Sequence, residues 1–255
     1  MTDSLVADDP LAASARLVYF LSKKARKATR DYGLIAAGDR IAVAVSGGKD
    51  SMALLLVLCA MQADWPDRFE LCPVHVTPAA DAPCGGGDPA QLAGWLEKRL
   101  GLPLELAPME AAGQTDRSRP SPCFHCAWRR RKALFTAAAR LGCAKVAMGH
   151  HADDVAQTTL MNLFNHGRLE TMQPKIGLFE GEITLIRPLF FAAEREIVRL
   201  ARVAGFPPAP AACTVGANGH RALMADVLRL VERRQRRAKR HLWRAVQRAD
   251  AADGR

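Results

Sequence analysis

Short apolar runs alternate with longer amphipathic stretches along this chain. Residues 41–45, 70–76, 104–107 and 145–149 are strand-like runs, and the segments between them read helically. That βαβα alternation predicts an α/β fold with a parallel sheet covered by helices on both faces. The stretch 51–61, SMALLLVLCAM, is apolar almost all round, which predicts a helix buried against the sheet. Helices are also expected over 13–32, 89–100, 127–141, 154–164 and 194–204, the last stopped by Gly205, Pro207, Pro208 and Pro210. Two runs, 176–179 and 183–186, flank Glu180-Gly181-Glu182 and predict a hairpin. Residues 222–248 read as one final, strongly basic helix, segments 81–88 and 115–122 read as loops, and no internal repeat is present.

At 255 residues, 24% charged and 49% hydrophobic, the chain is ordinary for a globular protein, and intrinsic disorder is not the default. Lys and Arg outnumber Asp and Glu by 36 to 26, a net charge of +10 that points to a phosphate-bearing partner. No window approaches the roughly 18 consecutive apolar residues of a membrane span. Residues 1–10 are acidic rather than a basic lead into an apolar stretch, so a cytoplasmic location with no membrane partner is expected. Seven cysteines, an odd number, argue against a disulfide framework and for metal or thiol chemistry.

The most informative stretch is IAVAVSGGKDS, beginning at Ile41. A buried strand runs into Ser46, Gly47 and Gly48, then into Lys49, Asp50, Ser51 and the apolar helix. The glycines let backbone N–H groups turn toward an anion, and a helix N-terminus and a cation converge on the same point. This is not the Walker pattern, because the glycines adjoin each other and Lys49. It resembles the PP-loop signature of ATP pyrophosphatases, which cleave ATP between the α and β phosphates and adenylate their substrate. A turn with glycine chosen for geometry alone is disfavoured, since strand, glycines, lysine and helix all coincide.

Gly149-His150-His151-Ala152-Asp153-Asp154 ends the fourth strand and opens a helix. Carboxylates at a helix start favour its dipole. At the carboxyl end of a parallel strand, Asp153 and Asp154 can also hold Mg²⁺ on ATP or position a reacting group, and this reading is preferred. Gly149 and His150 are then expected at the nucleotide, although His150 and His151 need do no more than pack or cap. Cys123-Phe124-His125-Cys126 is a C-x-x-C that alone fits a zinc half-site, a redox pair or half of an iron–sulfur site. No second C-x-x-C exists to complete structural zinc. With Cys213, after a proline-rich loop, three thiolates and an open corner suit a [4Fe–4S] cluster better. Cys59, Cys72 and Cys143 fall in apolar runs and read as small core residues, and Cys84, among glycines, reads as incidental.

Together, SGGKDS, the C-x-x-C followed by WRRRKALFTAAARLG, GHHADD with its QTTLMNLF helix, IRPLFFAAEREI and Cys213 resemble the TtcA family of tRNA 2-thiocytidine synthetases. The resemblance implies a Rossmann-like, adenine nucleotide alpha hydrolase-like fold. The chain would comprise an N-terminal helical segment (1–38), a PP-loop ATP pyrophosphatase domain with the iron–sulfur site (39–215) and a basic C-terminal helix (216–255). The implied reaction is adenylation by ATP of a cytidine at position thirty-two of tRNA, followed by sulfur delivery. The resemblance assigns Ser46 through Ser51 to ATP and Cys123, Cys126 and Cys213 to an oxygen-sensitive [4Fe–4S] cluster. It brings in Mg²⁺, with a cysteine desulfurase as the sulfur source. Lys49, Asp50, Asp153 and Asp154 become candidate catalytic residues. The chain departs from the family at Pro210-Ala211-Ala212, where a further cysteine is usual, and in 77–88, which lacks an acidic start. Two alternatives stay open: a related tRNA 2-thiouridine synthetase, whose members usually carry extra zinc-binding Cys pairs absent here, and a zinc-stabilised nucleotide-binding module without sulfur chemistry. A homodimer would be unsurprising.

The charge surplus is focused. Over 228–255, nine Arg and one Lys stand against Glu232, Asp250 and Asp253. A solvated helix face is the ordinary reading of such a run. Beside a nucleotide-modifying site, Arg233, Arg234, Arg236, Arg237, Lys239 and Arg240 are instead expected to grip RNA phosphates. Arg129, Arg130 and Arg131, with Lys132, form a second cluster, and Lys23, Lys24, Arg26 and Lys27 a third.

Overall fold

Strand β1 (Arg40–Ala44) is buried on both faces because its alternating residues enter two different cores. The computed structural model describes residues 10–65, 68–80, 82, 87–111, 122–210 and 220–252, leaving aside the side chains of 10–12, 122–123 and 249–252. Ile41 and Val43 face a large core shared with α1 (Pro10–Tyr32), α2 (Lys49–Asp64) and α6 (Glu194–Val203). Ala42 faces a second core with Leu134, Ala137 and Ala138 of α4 (Pro122–Arg140). Helix α2 is enclosed almost all round, as its composition predicts: Met52, Leu54, Leu55, Leu58 and Met61 have no exposed surface.

The remaining strands are β2 (Glu70–Thr77), β3 (Glu105–Pro108), β4 (Lys145–Ala147), β5 (Lys175–Leu178) and β6 (Ile183–Ile186), and the six stand in the order β3-β2-β1-β4-β6-β5. All pairings are parallel except β5 with β6, the hairpin, whose turn carries positive φ at Phe179 and Glu180. From β1 the chain winds one way to β2 and β3 and the other way to β4 and β6. The crevice outside the carboxyl ends of β1 and β4 is therefore the switch point where open α/β sheets bind ligands. Helices α3 (Pro89–Leu100) and α5 (Ala152–His166) complete the alternation.

The C-terminal segment departs from the sequence expectation. In place of one helix there are two, α7 (His220–Arg234) and α8 (Ala238–Ala252), with a turn over Gln235–Arg237. Met224 and Leu228 of α7 pack on Ala156 and Leu160 of α5, while Trp243 of α8 stacks edge-on against Phe190 and Tyr32. One straight helix cannot satisfy both contacts, so packing bends the chain where neither Gly nor Pro marks a break. Helix α1 likewise shares the main core, through Leu21, Ala25 and Ala28. No described helix is long and apolar enough to cross a membrane.

Candidate active site

The switch-point crevice is a cleft of about 710 Å³, lined among others by Ser46, Gly48, Asp50, Gly149, His150 and Asp154. Its floor is the turn from β1 into α2. Gly47 adopts φ +81, which a side chain would strain, and Gly48 sits at the helix N-cap without a side-chain cap. The first amides of α2 are thus left for an anion. Ser51 Oγ braces the turn, accepting from Ser46 N at 3.1 Å and donating to Gly48 O at 2.9 Å. Gly149 enters from β4 so closely that a Cβ there would lie 2.9 Å from the carbonyl carbon and oxygen of Asp50.

Charges alternate around this floor. Lys49 Nζ lies 3.1 Å from both Asp50 Oδ2 and Glu194 Oε1. Burial alone would lower the pKa of Lys49, but these carboxylates outweigh it and raise it, so the amine is a cation. Asp50 is held below its ordinary value: burial opposes this, but His151 and Lys49 prevail. His151, only 4% exposed, sits among Asp50, Asp153 and Asp154 at 3.4, 3.8 and 3.4 Å. Its burial is overcome by these carboxylates and its pKa is raised. The approach to Asp50 is an ion-pair distance without hydrogen-bond alignment, leaving Asp50 Oδ1 a buried oxygen without a hydrogen-bond partner. His150 behaves oppositely: burial, then Arg187, push it down to about 4, so it faces the cleft as neutral imidazole. Arg187 Nε donates to His150 Nδ1 at 3.4 Å.

The adjacent carboxylates are divided. Asp154 lines the cleft, accepts from His151 N at 2.9 Å and pairs with Arg221. Asp153 is turned away from it: Oδ2 accepts from Glu194 N at 2.8 Å, capping α6, and Oδ1 pairs with Lys239. The structure gives Asp153 a structural job and Asp154 the cleft. Lys239, expected among the RNA-gripping residues, has its Nζ between Asp153 and Glu232, 2.7 Å from the latter. Arg233, Arg234, Arg236, Arg237 and Arg240 stand exposed around the α7–α8 turn. The α1 patch is largely neutralised locally, Lys24 by Glu196, Arg26 by Asp64 and Lys27 by Asp31.

Helix α4 brings Arg130 and Arg131 into the cleft, while Arg129 donates to Glu110 O at 3.0 Å on the other side. Cys126, beside the cleft-lining Ala127, is 4% exposed. Cys123 lies one helical turn earlier; its side chain, and Cys84 and Cys213 entirely, lie outside the described residues. Pro210, which precedes Cys213 in sequence, lies over the phosphate loop, where a Cβ on Gly47 would meet it at 3.3 Å. A buried thiol one turn after another cysteine fits iron ligation through thiolates. Asp50 Oδ1 is a hard oxygen donor of the kind Mg²⁺ takes. No group of three metal-ligating side chains occurs among the described residues, so Mg²⁺ would depend on one or two carboxylates and ATP itself. Burial pushes the Cys59 and Cys143 thiols up to about 11 and about 12, as suits core residues.

A PP-loop domain family model matches residues 20–207. The tRNA-cytidine(32) 2-sulfurtransferase of Geobacter sulfurreducens is 39% identical over 224 residues, covering 86% of each chain. The chain belongs to the tRNA-cytidine(32) 2-sulfurtransferase family of PP-loop proteins. The Syntrophotalea carbinolica member is 38% identical over 204 residues, 78% of this chain and 76% of its own. Among solved structures, the U34-tRNA thiolase NcsA from Methanococcus maripaludis with its [4Fe-4S] cluster aligns with a TM-score of 0.74 at 21% identity, over 92% of this chain and 79% of that one, which shows the shared fold. Three site residues of this sulfurtransferase escaped the sequence reading, Glu194, Arg187 and His75, while His151, within GHHADD, is read from the sequence only as packing or capping. His75 is 3% exposed, bonds Val45 O through Nδ1 at 2.7 Å and lines the cleft. Arg187 and Glu194 lay in the stretch IRPLFFAAEREI and His75 in the strand-like run 70–76, but nothing local marked their role.

Proposed function

We propose that this enzyme adenylates a cytidine of tRNA with ATP and replaces its C2 oxygen by sulfur, giving 2-thiocytidine. One observation carries the reading: the phosphate loop and the helix bearing Cys126 open onto one switch-point cleft, with Arg130 and Arg131 on its wall. An amide-like oxygen is a poor leaving group and an adenylate a good one, so activation must precede substitution. The amides at the start of α2 and the Lys49 cation receive the phosphates. The cytosine O2 attacks the α-phosphorus as the bond to pyrophosphate breaks, and Lys49 with the α2 N-terminus takes up the charge that develops on the leaving group. His151 holds Asp50 ionised at the mouth of the loop, and Asp50 and Asp154, which both line the cleft, would be the carboxylates that hold Mg²⁺. Cys123, Cys126 and Cys213 would hold a [4Fe–4S] cluster, which when bound supplies the sulfide that replaces AMP; a cysteine desulfurase would renew it. Arg130, Arg131 and the exposed arginines of the α7–α8 turn draw in the RNA backbone.

The test is anaerobic turnover of iron-loaded protein with tRNA transcript, ATP and sulfide. One AMP and one pyrophosphate per 2-thiocytidine are expected, and Lys49→Ala should abolish product while keeping the iron chromophore. Formation of ADP, or thiolation of uridine, overturns the reading.

A further inference from the structure

Arg187, at the end of β6, is a buried guanidinium that pairs with no described carboxylate. It is 6% exposed, its backbone N donates to Pro174 O at 3.0 Å, and its Nη1 donates to Gln173 O. Burial and then Arg131 push it down only to about 10, so it stays a cation near neutrality. Its Nε is spent on His150 Nδ1 at 3.4 Å. A guanidinium can only donate, so Nδ1 must accept, and the single proton of the neutral ring belongs on Nε2. A second proton would sit on Nδ1, facing the Arg187 N–H. Asp154, the carboxylate whose charge would favour it, is already paired with Arg221. His150 therefore shows the cleft a neutral N–H donor, and no described residue accepts from it.

Gly149 abuts the carbonyl of Asp50 at the phosphate loop, so His150, the next residue, stands beside the phosphate site. Arg130 and Arg131 line the same cleft, and Arg131 is near enough to Arg187 to act on it. His150 thus lies where the phosphate loop and the arginine wall meet, the place at which the α-phosphate and the target base must come together. Resting on the adenylation reading above, we propose that His150 is a catalytic Nε2–H donor to a non-bridging oxygen of the ATP α-phosphate, and that Arg187 is the positioning residue that fixes its tautomer. When cytosine O2 attacks the α-phosphorus, the new O–P bond forms as the P–O bond to pyrophosphate breaks, and pyrophosphate leaves with that electron pair. The transition state spreads charge over the equatorial oxygens, and a donor already aimed at one of them stabilises it. No proton leaves His150, so none has to be restored between turnovers.

The experiment is NMR of nitrogen-labelled imidazoles in the iron-loaded protein, with His150→Gln locating the His150 signals. The parent should show the Nε2–H tautomer. Adding α,β-methylene-ATP should shift its Nε2 signal, whereas inorganic pyrophosphate, which fills the loop without an α-phosphate, should not. Arg187→Met should give a mixture of tautomers. In AMP formation with tRNA, His150→Leu should lower kcat roughly 100- to 1000-fold with little change in the KM for ATP. His150→Gln, which keeps an N–H at the same place, should recover most of that loss. An Nδ1–H tautomer, an equal shift from pyrophosphate, an unchanged tautomer in Arg187→Met, or a His150→Leu enzyme as fast as the parent overturns the proposal. A parent that gives these NMR responses but forms no AMP refutes the adenylation reading instead and leaves the α-phosphate contact standing.

Discussion

Gly149→Ala isolates the closest approach in the site. Gly149 is not among the positive-φ residues, so an alanine there suffers no backbone strain, and its effect is steric alone. The new methyl would lie 2.9 Å from Asp50 C and O and 3.1 Å from Ser51 N, where ordinary contact begins near 3.4 Å. Both sides are pinned backbone. Met148 N donates to Ile186 O at 3.0 Å on one side, and Met52 N to Gly48 O at 3.1 Å on the other. The first turn of α2 must move by about half an ångström, an overpacking that costs about 1–3 kcal/mol. For a chain of this size, that corresponds to a loss of roughly 2–12 °C in Tm. The displaced atoms are the phosphate loop itself, so ATP affinity should fall by roughly tenfold or more, measured by calorimetry beside the thermal scan. Gly101→Ala is the control: it has φ +63 but nothing within 4 Å, so it should cost stability and leave ATP affinity unchanged. Unchanged ATP affinity in Gly149→Ala, or an equal loss in Gly101→Ala, would refute the packing argument.

Gly94, exposed within α3 with nothing within 4 Å and no positive φ, should become a stabilising site: Gly94→Ala is expected to add about 0.5–1 kcal/mol in urea denaturation. Lys239→Met leaves the largely buried Asp153 without its cation and should cost about 1–3 kcal/mol, below a fully buried pair because Lys239 keeps 22% of its side-chain surface exposed. Most of that loss should vanish in an Asp153→Asn background. Because His150 has a folded pKa of about 4 against an ordinary 6.5, the unfolded chain binds its proton first, and stability falls as pH drops from 6.5 toward 4. His150→Asn should flatten that fall by on the order of 2–3 kcal/mol in denaturation midpoints followed across the window. His151, raised instead, contributes stability present below 6.5 and lost as pH rises through its folded pKa, so His151→Asn should lose most at acid pH. Cys126→Ser should remove bound iron from anaerobically purified protein, read by metal analysis.

The sheet was legible because its signals are local. A strand buried on both faces is a continuous apolar run, and 41–45 is one, leading straight into Gly47, Gly48 and Lys49. The partnerships that complete the site are not local. Glu194 reaches Lys49, and Lys239 reaches Asp153, only after the sheet and its helices have packed. Adjacent in sequence, Asp153 and Asp154 are equivalent as letters; helical geometry sends one to the α6 N-terminus and the other to the cleft. The pairing within charge runs is non-local information for a related reason. A row of Lys and Arg does not reveal which members will find carboxylates in the folded chain, and Lys24, Arg26, Lys27 and Lys239 all do. The bend between α7 and α8 has no breaker residue and is set by where Met224 and Trp243 must pack.

The central claim, cytidine thiolation at this cleft, is tested most directly by mass spectrometry of tRNA nucleosides from cells lacking the gene. The account predicts that 2-thiocytidine disappears while 2-thiouridine derivatives persist, and that the native chain restores it but Lys49→Ala does not. Persistence of 2-thiocytidine in the deletion strain, or loss of a thiouridine in its place, would contradict it.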